Sequence, residues 1–309
     1  MGAIQAQEYA GALWAVGLRT RGETLATIEG ALAAGTIVRT HPMRGTHHFV
    51  AREDVRWLIA LMGPLMIKRN ERRNRELKLD EKTLTKALTT LERALAGGNH
   101  LTRAETVAVL ERAKIATDGQ RIAHIIYRAE LEGLVCSGVR KGKQITIALL
   151  DERTPKAKPR SREDALRELA TRYFTTRGPA TRADFTWWCQ LPAADAREAM
   201  ELAKLDGDGS YFTKGTARRA KPPRAFLLPP YDEYTVAYRD RSAAGSPPAK
   251  AATFGESALL APSVVVDGIV IGSWRREKNR IATKLWSKLP RKDTDAVEDA
   301  VRRYVAFVS

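Results

Sequence analysis

The sequence is short of cysteine, of acid and of long apolar runs, and each shortage excludes something. Two cysteines, Cys136 and Cys189, in 309 residues are too few for a disulfide framework, and neither sits in a Cys-x-x-Cys arrangement. Both are expected as small buried hydrophobes. No run of about eighteen apolar residues occurs, and no charged segment followed by an apolar stretch and a cleavage site opens the chain. A membrane span and a secretory leader are therefore not expected, and the protein is placed in the cytoplasm, associated with the nucleoid. The common catalytic signatures are missing too: no Gly-rich phosphate loop ending in Lys-Ser/Thr, no Gly-x-Ser-x-Gly and no His-Glu-x-x-His. Asp and Glu number 36 against 52 Lys and Arg, a formal charge of +16. A polyanion is the natural partner of such a chain, because each neutralised phosphate releases counterions.

What the sequence does contain is a repeated helix-and-hairpin pattern. In residues 119–149, Ile122, Ile125, Ile126, Ala129 and Leu131 recur at helical spacing and Gly133 follows as a stop. Val135 and Val139 precede the turn Arg140-Lys141-Gly142-Lys143, and Ile145, Ile147 and Leu149 alternate after it as in a half-buried strand. That is the outline of a winged helix, in which a groove-fitting helix beside a cationic ribbon holds duplex DNA. Arg140, Lys141 and Lys143 are its candidate phosphate contacts. Residues 24–50 repeat the pattern, with Gly35 in the place of Gly133 and Arg44-Gly45 in the place of Lys141-Gly142. A third copy is expected from helices at about 162–176, 182–189 and 193–204, with Gly178-Pro179 at the first turn and a wing in 205–224 that carries Arg218 and Arg219.

The expected organisation is mainly α with β: three tandem winged-helix modules over 1–67, 68–152 and 153–223, then a small β-barrel or sheet over 224–309. Within the second module Leu84–Leu95 and Thr102–Ala113 form the first helices, and Thr102 and Glu105 have the spacing of a capping box. The basic run Lys68–Lys78 is either an exposed helix or a phosphate-tracking surface. The stretch Arg153–Arg162, with two prolines and five cations, marks a linker. From Ala225 onward, AFLLPPYDEYTVAY and SVVVDGIVIGSW read as short strands, Asp267-Gly268 as a two-residue turn, and Asp293–Val308 as a closing helix. Trp187 and Trp188 are expected inside the third module and Trp274 in the core.

His41, His47 and His48 flank the first wing turn. A metal site needs three or four ligands and no acid or cysteine lies close in sequence, so none is expected. Arg44 and His47 are instead candidates to face DNA. Gln5-Ala6-Gln7 precedes an apolar segment with Leu13, Trp14, Val16 and Leu18. On an extended strand the two amides share a side, whereas on a helix they diverge by about 200°.

Taken together, IQAQEYAGALWAVGLR, THPMRGTHHFV, LLPPYDEYTVAYRDRSA and VVVDGIVIGSWRR resemble the bacterial winged-helix DNA glycosylases, the AlkZ-like and YcaQ-like superfamily, in the family's order over almost the whole chain. Glutamine-apolar-glutamine at Gln5-Ala6-Gln7 resembles the catalytic motif of the AlkZ-like branch. Only four residues precede Gln5, where members of that family usually carry a further helix-containing segment. The resemblance implies a monomeric, monofunctional enzyme that removes N-alkylated purines, including mustard-type adducts and interstrand crosslinks, from double-stranded DNA. It implies Gln5 and Gln7 as catalytic residues and no metal or organic cofactor. It also marks Asp232 and Tyr234 as a recurring element, read as a buried hydrogen-bonding pair, and Arg275 in Trp274-Arg275-Arg276 as a phosphate contact. The competing reading is a non-catalytic winged-helix DNA-binding protein or transcriptional regulator. Against it, the sequence shows neither a coiled coil nor an effector-domain pattern. An RNA-binding role has no RNP-like or KH-like pattern in its favour.

Overall fold

A computed structural model describes residues 1–154, 156–215, 222–245, 260–278 and 280–309. The expected wing cations Arg218 and Arg219 lie outside the described residues. In chain order the elements begin with β1 (Ile4–Gln5), α1 (Tyr9–Gly17), α2 (Leu25–Ala33), β2 (Ile37–Met43), β3 (Thr46–Ala51) and α3 (Arg52–Glu76). Next come α4 (Glu81–Leu95), β4 (Leu101–Thr102), α5 (Arg103–Arg112), α6 (Arg121–Leu131), β5 (Val135–Ser137), β6 (Thr146–Leu149) and α7 (Leu150–Arg153). Then follow α8 (Arg162–Arg177), α9 (Arg182–Cys189), α10 (Ala193–Ala203), β7 (Asp206–Gly207) and β8 (Phe212–Thr213). The chain closes with β9 (Ala225–Leu228), α11 (Glu233–Val236), β10 (Ser263–Val266), β11 (Ile269–Glu277), β12 (Arg280–Leu285) and α12 (Arg291–Val308). This is an α+β fold of many helices and small antiparallel sheets.

The chain divides into two compact units. A middle unit takes Gly2 and Gly30–Leu169, and a terminal unit takes Met1, Ala3–Glu29 and Ala170–Ser309.

In the middle unit, α4, β4, α5, α6, β5 and β6 follow the helix-strand-helix-helix-strand-strand order of a winged helix, with the sheet ordered β4-β6-β5. Its core joins Leu84, Leu88, Leu91 and Leu95 of α4 to Leu110, Ile122, Ile125 and Ala129, closed by Val135, Ile147 and Leu149 of the sheet. The apolar period read from the sequence is thus the buried face. Thr102 and Glu105 make the capping box in both directions, which satisfies orphan amides at the start of α5. Gly35 and Gly133, the expected helix stops, both have positive φ. The first wing is the hairpin β2-β3, where Met43 pairs with Thr46 across Arg44 and Gly45. Both turn residues have positive φ, 58° and 64°, the backbone of a type I′ turn whose twist matches the strands it joins. The basic run is the second half of α3, where Arg72, Arg73 and Arg75 pair with Glu76 and Glu71 along the helix.

In the terminal unit, the part of α8 from Ala170 onward, a bridge between Ala180 and Phe212, α9, α10 and the pair β7-β8 repeat the winged-helix order, with the first strand reduced to a single bridge. Tyr173, Phe174, Phe185 and Trp188 fill that module with edge-on and tilted rings. Trp187, expected inside it, is instead 46% exposed, because it lies about 100° around α9 from the buried Trp188; its indole donates to the Val236 carbonyl and its ring lies under the Arg241 guanidinium. The four strands of the C-terminal region run β12-β11-β10-β9 as an open sheet that does not close into a barrel among the described residues. The turn Asp267-Gly268 joins β10 to β11 with positive φ at both residues, as read from the sequence. YDEYTVAY departs from its expected strand. Pro229 and Pro230 remove two consecutive backbone donors, and the Asp232 carboxylate accepts from the Tyr234 amide, which starts the helical turn α11.

Candidate active site

Gln5 ends the short strand β1, and Gln7 sits at the bend between that strand and α1. Ala6 between them is fully buried, Gln5 is half-buried and Gln7 is exposed. Glu8 accepts from the Ala10 and Gly11 backbone amides, so α1 starts only after both glutamines. The helix is fastened to the sheet by its indole: Trp14 Nε1 donates to the Leu227 carbonyl at 2.6 Å, and the ring packs on Tyr304 and Phe307 of α12. Trp274, in the core as expected, donates to the next carbonyl, Leu228, at 2.7 Å. Gly11 lets α1 approach Pro229 and Pro230, where an added Cβ would sit 3.0 Å from each ring.

Behind Gln5 stands a charged pair that the sequence did not suggest. The Gln5 backbone N–H donates to Glu233 Oε1 at 3.4 Å. Glu233 Oε2 accepts from the Arg177 guanidinium and, at 3.0 Å, from the Trp188 indole. Both charged side chains are all but buried, and the guanidinium lies 4.7 Å from the Trp188 ring centre. A buried ion pair with its remaining lone pairs occupied holds its geometry firmly, because moving either partner leaves the other charge uncompensated. Next to it, Asp232 takes a bidentate hydrogen bond from Arg19 at 2.6 and 2.9 Å. Burial opposes the Arg19 charge, yet the adjacent carboxylate outweighs it and raises the Arg19 pKa above its ordinary value. The expected Asp232–Tyr234 pair is only half buried: Asp232 is enclosed, while Tyr234 is 39% exposed and its hydroxyl donates to the Gly268 carbonyl. The Gln5 Oε1 atom is buried with no hydrogen-bond partner among the described residues.

In the middle unit the first wing meets the third helix of the second module. His41 of β2 and His47 of β3 both turn toward Glu130 Oε2 on α6, His47 from 3.6 Å; their ring centres lie 3.7 Å apart with the planes tilted by 42°, and Tyr127 is edge-on to His41. Glu130 is fully enclosed. Burial would raise its pKa, but the two imidazoles overcome that and hold it down to about 2. Burial also lowers the pKa of His47. The one sign in the sequence was an acid one turn after Ile126, on the side of α6 that also carries apolar residues. Beside this cluster His48 accepts from Arg44 at its Nε2 atom, 2.8 Å away, and donates from Nδ1 to the Thr46 carbonyl, so the ring is neutral and steers the Arg44 side chain.

These contacts correct the expectation that α6 reads a groove. Of its eleven residues only Ala123 is exposed, and its arginines are engaged: Arg121 with backbone carbonyls, Arg128 with Glu81 and Glu132. The wing after it stays accessible, with Lys143 exposed and Arg140 half-buried, whereas Lys141 Nζ sits 2.9 Å from both oxygens of Glu105. Arg275 is likewise exposed but paired with Glu277, while its neighbour Arg276 is exposed without an ion-pair partner among the described residues. Cys136 and Cys189 are buried and free, and burial pushes the Cys136 thiol up to about 12.

A family model described as DNA glycosylase AlkZ-like matches residues 1–307. Among solved structures, Streptomyces sahachiroi DNA glycosylase AlkZ aligns at a TM-score of 0.78 and 21% identity, over 99% of this chain and 89% of that one. At that identity the likeness speaks for the fold. A search of curated proteins returned no match.

Proposed function

The chain belongs to the AlkZ-like DNA glycosylase family, and from that premise we propose that it hydrolyses the N-glycosidic bond of N-alkylated purines in double-stranded DNA, with Gln5 and Gln7 holding the attacking water. An N7-alkylated purine carries positive charge and leaves readily, so the site needs no strong general acid. Its task is to hold a water against C1′ and to stabilise the oxocarbenium-like sugar, which is work for fixed dipoles. Two neutral amides suffice. One accepts a hydrogen bond from the water, and the other orients it and directs its carbonyl dipole at the developing charge. Neither amide removes a proton as a carboxylate does, which confines the chemistry to activated bases.

The observation that carries this reading is the buried, unpartnered Gln5 Oε1 on a strand whose backbone is held by the Glu233–Arg177 pair. Buried acceptors in folded proteins almost always have a partner, and an exception calls for a role. Lys143, Arg140 and Arg276 are proposed as phosphate contacts, with Arg44 held by His48 in the first wing directed at the lesion or its phosphates. Lys141 and Arg275, each engaged by a glutamate, contribute less.

The test is base release from duplex DNA containing N7-methylguanine, scored as free base and abasic sites. Wild type is expected to release the base, while Gln5→Ala and Gln7→Ala are expected to lose release and keep DNA binding within a few-fold. Undiminished release by both variants would remove the glutamines from the mechanism. Duplexes carrying a mustard adduct or an interstrand crosslink extend the same assay to the substrate range.

A further inference from the structure

We propose that His41, His47 and Glu130 form a zinc-binding site that staples the first wing to helix α6. The three side chains offer two imidazole nitrogens and one carboxylate oxygen, and these ligand atoms lie within 4.8 Å of one another. In a tetrahedral zinc site, bonds of 2.0–2.2 Å place neighbouring ligand atoms about 3.3–3.5 Å apart. His47 Nε2 is already 3.6 Å from Glu130 Oε2, while His41 Nδ1, in direct hydrogen-bond contact with the same oxygen, has to draw back by a side-chain rotation to admit the ion. Two further features separate this cluster from an ordinary histidine–acid hydrogen bond. One histidine satisfies a carboxylate oxygen, yet here two converge on the same Oε2 from opposite strands of one hairpin, their ring centres 3.7 Å apart. Two imidazole nitrogens facing one carboxylate oxygen are a donor set that a divalent cation takes.

The surroundings fit as well. The carboxylate is 1% exposed, so its orientation is fixed by packing, and the imidazoles are 12% and 22% exposed, which leaves a solvent-facing position for a fourth ligand such as water. The Tyr127 ring edge, 4.8 Å from His41, walls one side. The acid comes from a helix 89 residues beyond His41, so the ion would close a long loop of chain and hold the wing in place. This site is separate from the chemistry proposed for Gln5 and Gln7, and its test needs no glycosylase activity.

Untagged full-length protein, stripped with chelator and dialysed, is titrated with zinc chloride and assayed for metal content and thermal denaturation. One equivalent is expected to bind, with a rise in the unfolding temperature that EDTA reverses. Cobalt(II) is expected to give the visible absorption of a tetrahedral site. Binding is expected to weaken about a hundredfold in His47→Asn, a half-buried position whose replacement is expected to preserve the fold, with circular dichroism as the check, and equally in Glu130→Gln, while His124→Asn is expected to bind like wild type. Less than a tenth of an equivalent of zinc, or the same affinity in wild type and His47→Asn, overturns the proposal.

Discussion

Replacing both members of the Glu233–Arg177 pair tests whether it holds the glutamine strand or only fills space. Glu233→Leu leaves Arg177 as an uncompensated charge at 4% side-chain exposure, and Arg177→Met does the same to Glu233 at 1%. Breaking a buried pair from one side costs about 3–5 kcal/mol. For domains of 150–250 residues each kcal/mol lowers the unfolding temperature by about 2–4 °C, so each single variant is expected to melt about 6–20 °C lower. The double variant removes both charges together and is expected to recover at least about 1 kcal/mol of the summed loss, the coupling expected of groups in contact. It will not recover everything. The Gln5 amide and the Trp188 indole also lose their acceptor, and each buried donor left unmet costs about 1–3 kcal/mol. Thermal denaturation of the four proteins gives the cycle, and N7-methylguanine release gives its functional half. Release by the double variant is expected to stay at least about tenfold below wild type, about 1.4 kcal/mol of barrier, at a temperature where it is fully folded. Strictly additive single losses, or a double variant with wild-type release, would refute the positioning role.

Three further outcomes are expected. Lys143→Ala should reduce the slope of log affinity against log salt by up to about 0.9 per lost phosphate contact, while Lys141→Ala changes it less because Glu105 already engages that ammonium; measured slopes in the reverse order would sink the assignment. Glu105 is held down to about 2, chiefly by the Lys141 hydrogen bond and then by Thr102, so its contribution to stability is complete above its unfolded value of 4.5 and is lost as pH falls toward 2. Glu105→Gln should therefore flatten the fall of unfolding temperature across that window, and an unchanged slope counts against the pairing. Gly11→Ala places a methyl 2.5 Å from Glu8 Oε2 and 3.0 Å from both prolines, an overpacking expected to cost about 1–3 kcal/mol and to lower base release; calorimetry showing no loss would mean that the helix start yields freely.

Much of the fold was legible because it is written in local periodicity. Ile122, Ile125 and Ala129 announced their buried face, and Arg44-Gly45 and Asp267-Gly268 announced turns that only positive φ can make. The placement of Gln5 and Gln7 before the helix also followed from spacing. What escaped was long-range pairing between charged residues. Nothing near Gln5 signals Glu233, which lies 228 positions away, and nothing near His41 signals Glu130. Lys141 and Arg275 read as free cations because a sequence does not show that Glu105 and Glu277 neutralise them. The tract YDEYTVAY read as a strand from its β-formers, and two prolines with an aspartate cap outweighed that propensity locally.

The terminal unit is assembled from both ends of the chain, and this sets an order of events during synthesis. The middle unit is a nearly continuous stretch, Gly30–Leu169, that is made in full before Leu227, Glu233 or α12 is translated. Trp14, by contrast, waits for Leu227, Tyr304 and Phe307, and Gln5 waits for Glu233. The segment that carries the glutamines thus finds its setting only after Glu233, Tyr304 and Phe307 have been made. A chain that stops short of Tyr304 and Phe307 leaves open to water the Trp14 face of α1 that their rings cover. The setting proposed for base release is thereby complete only once α12 is in place.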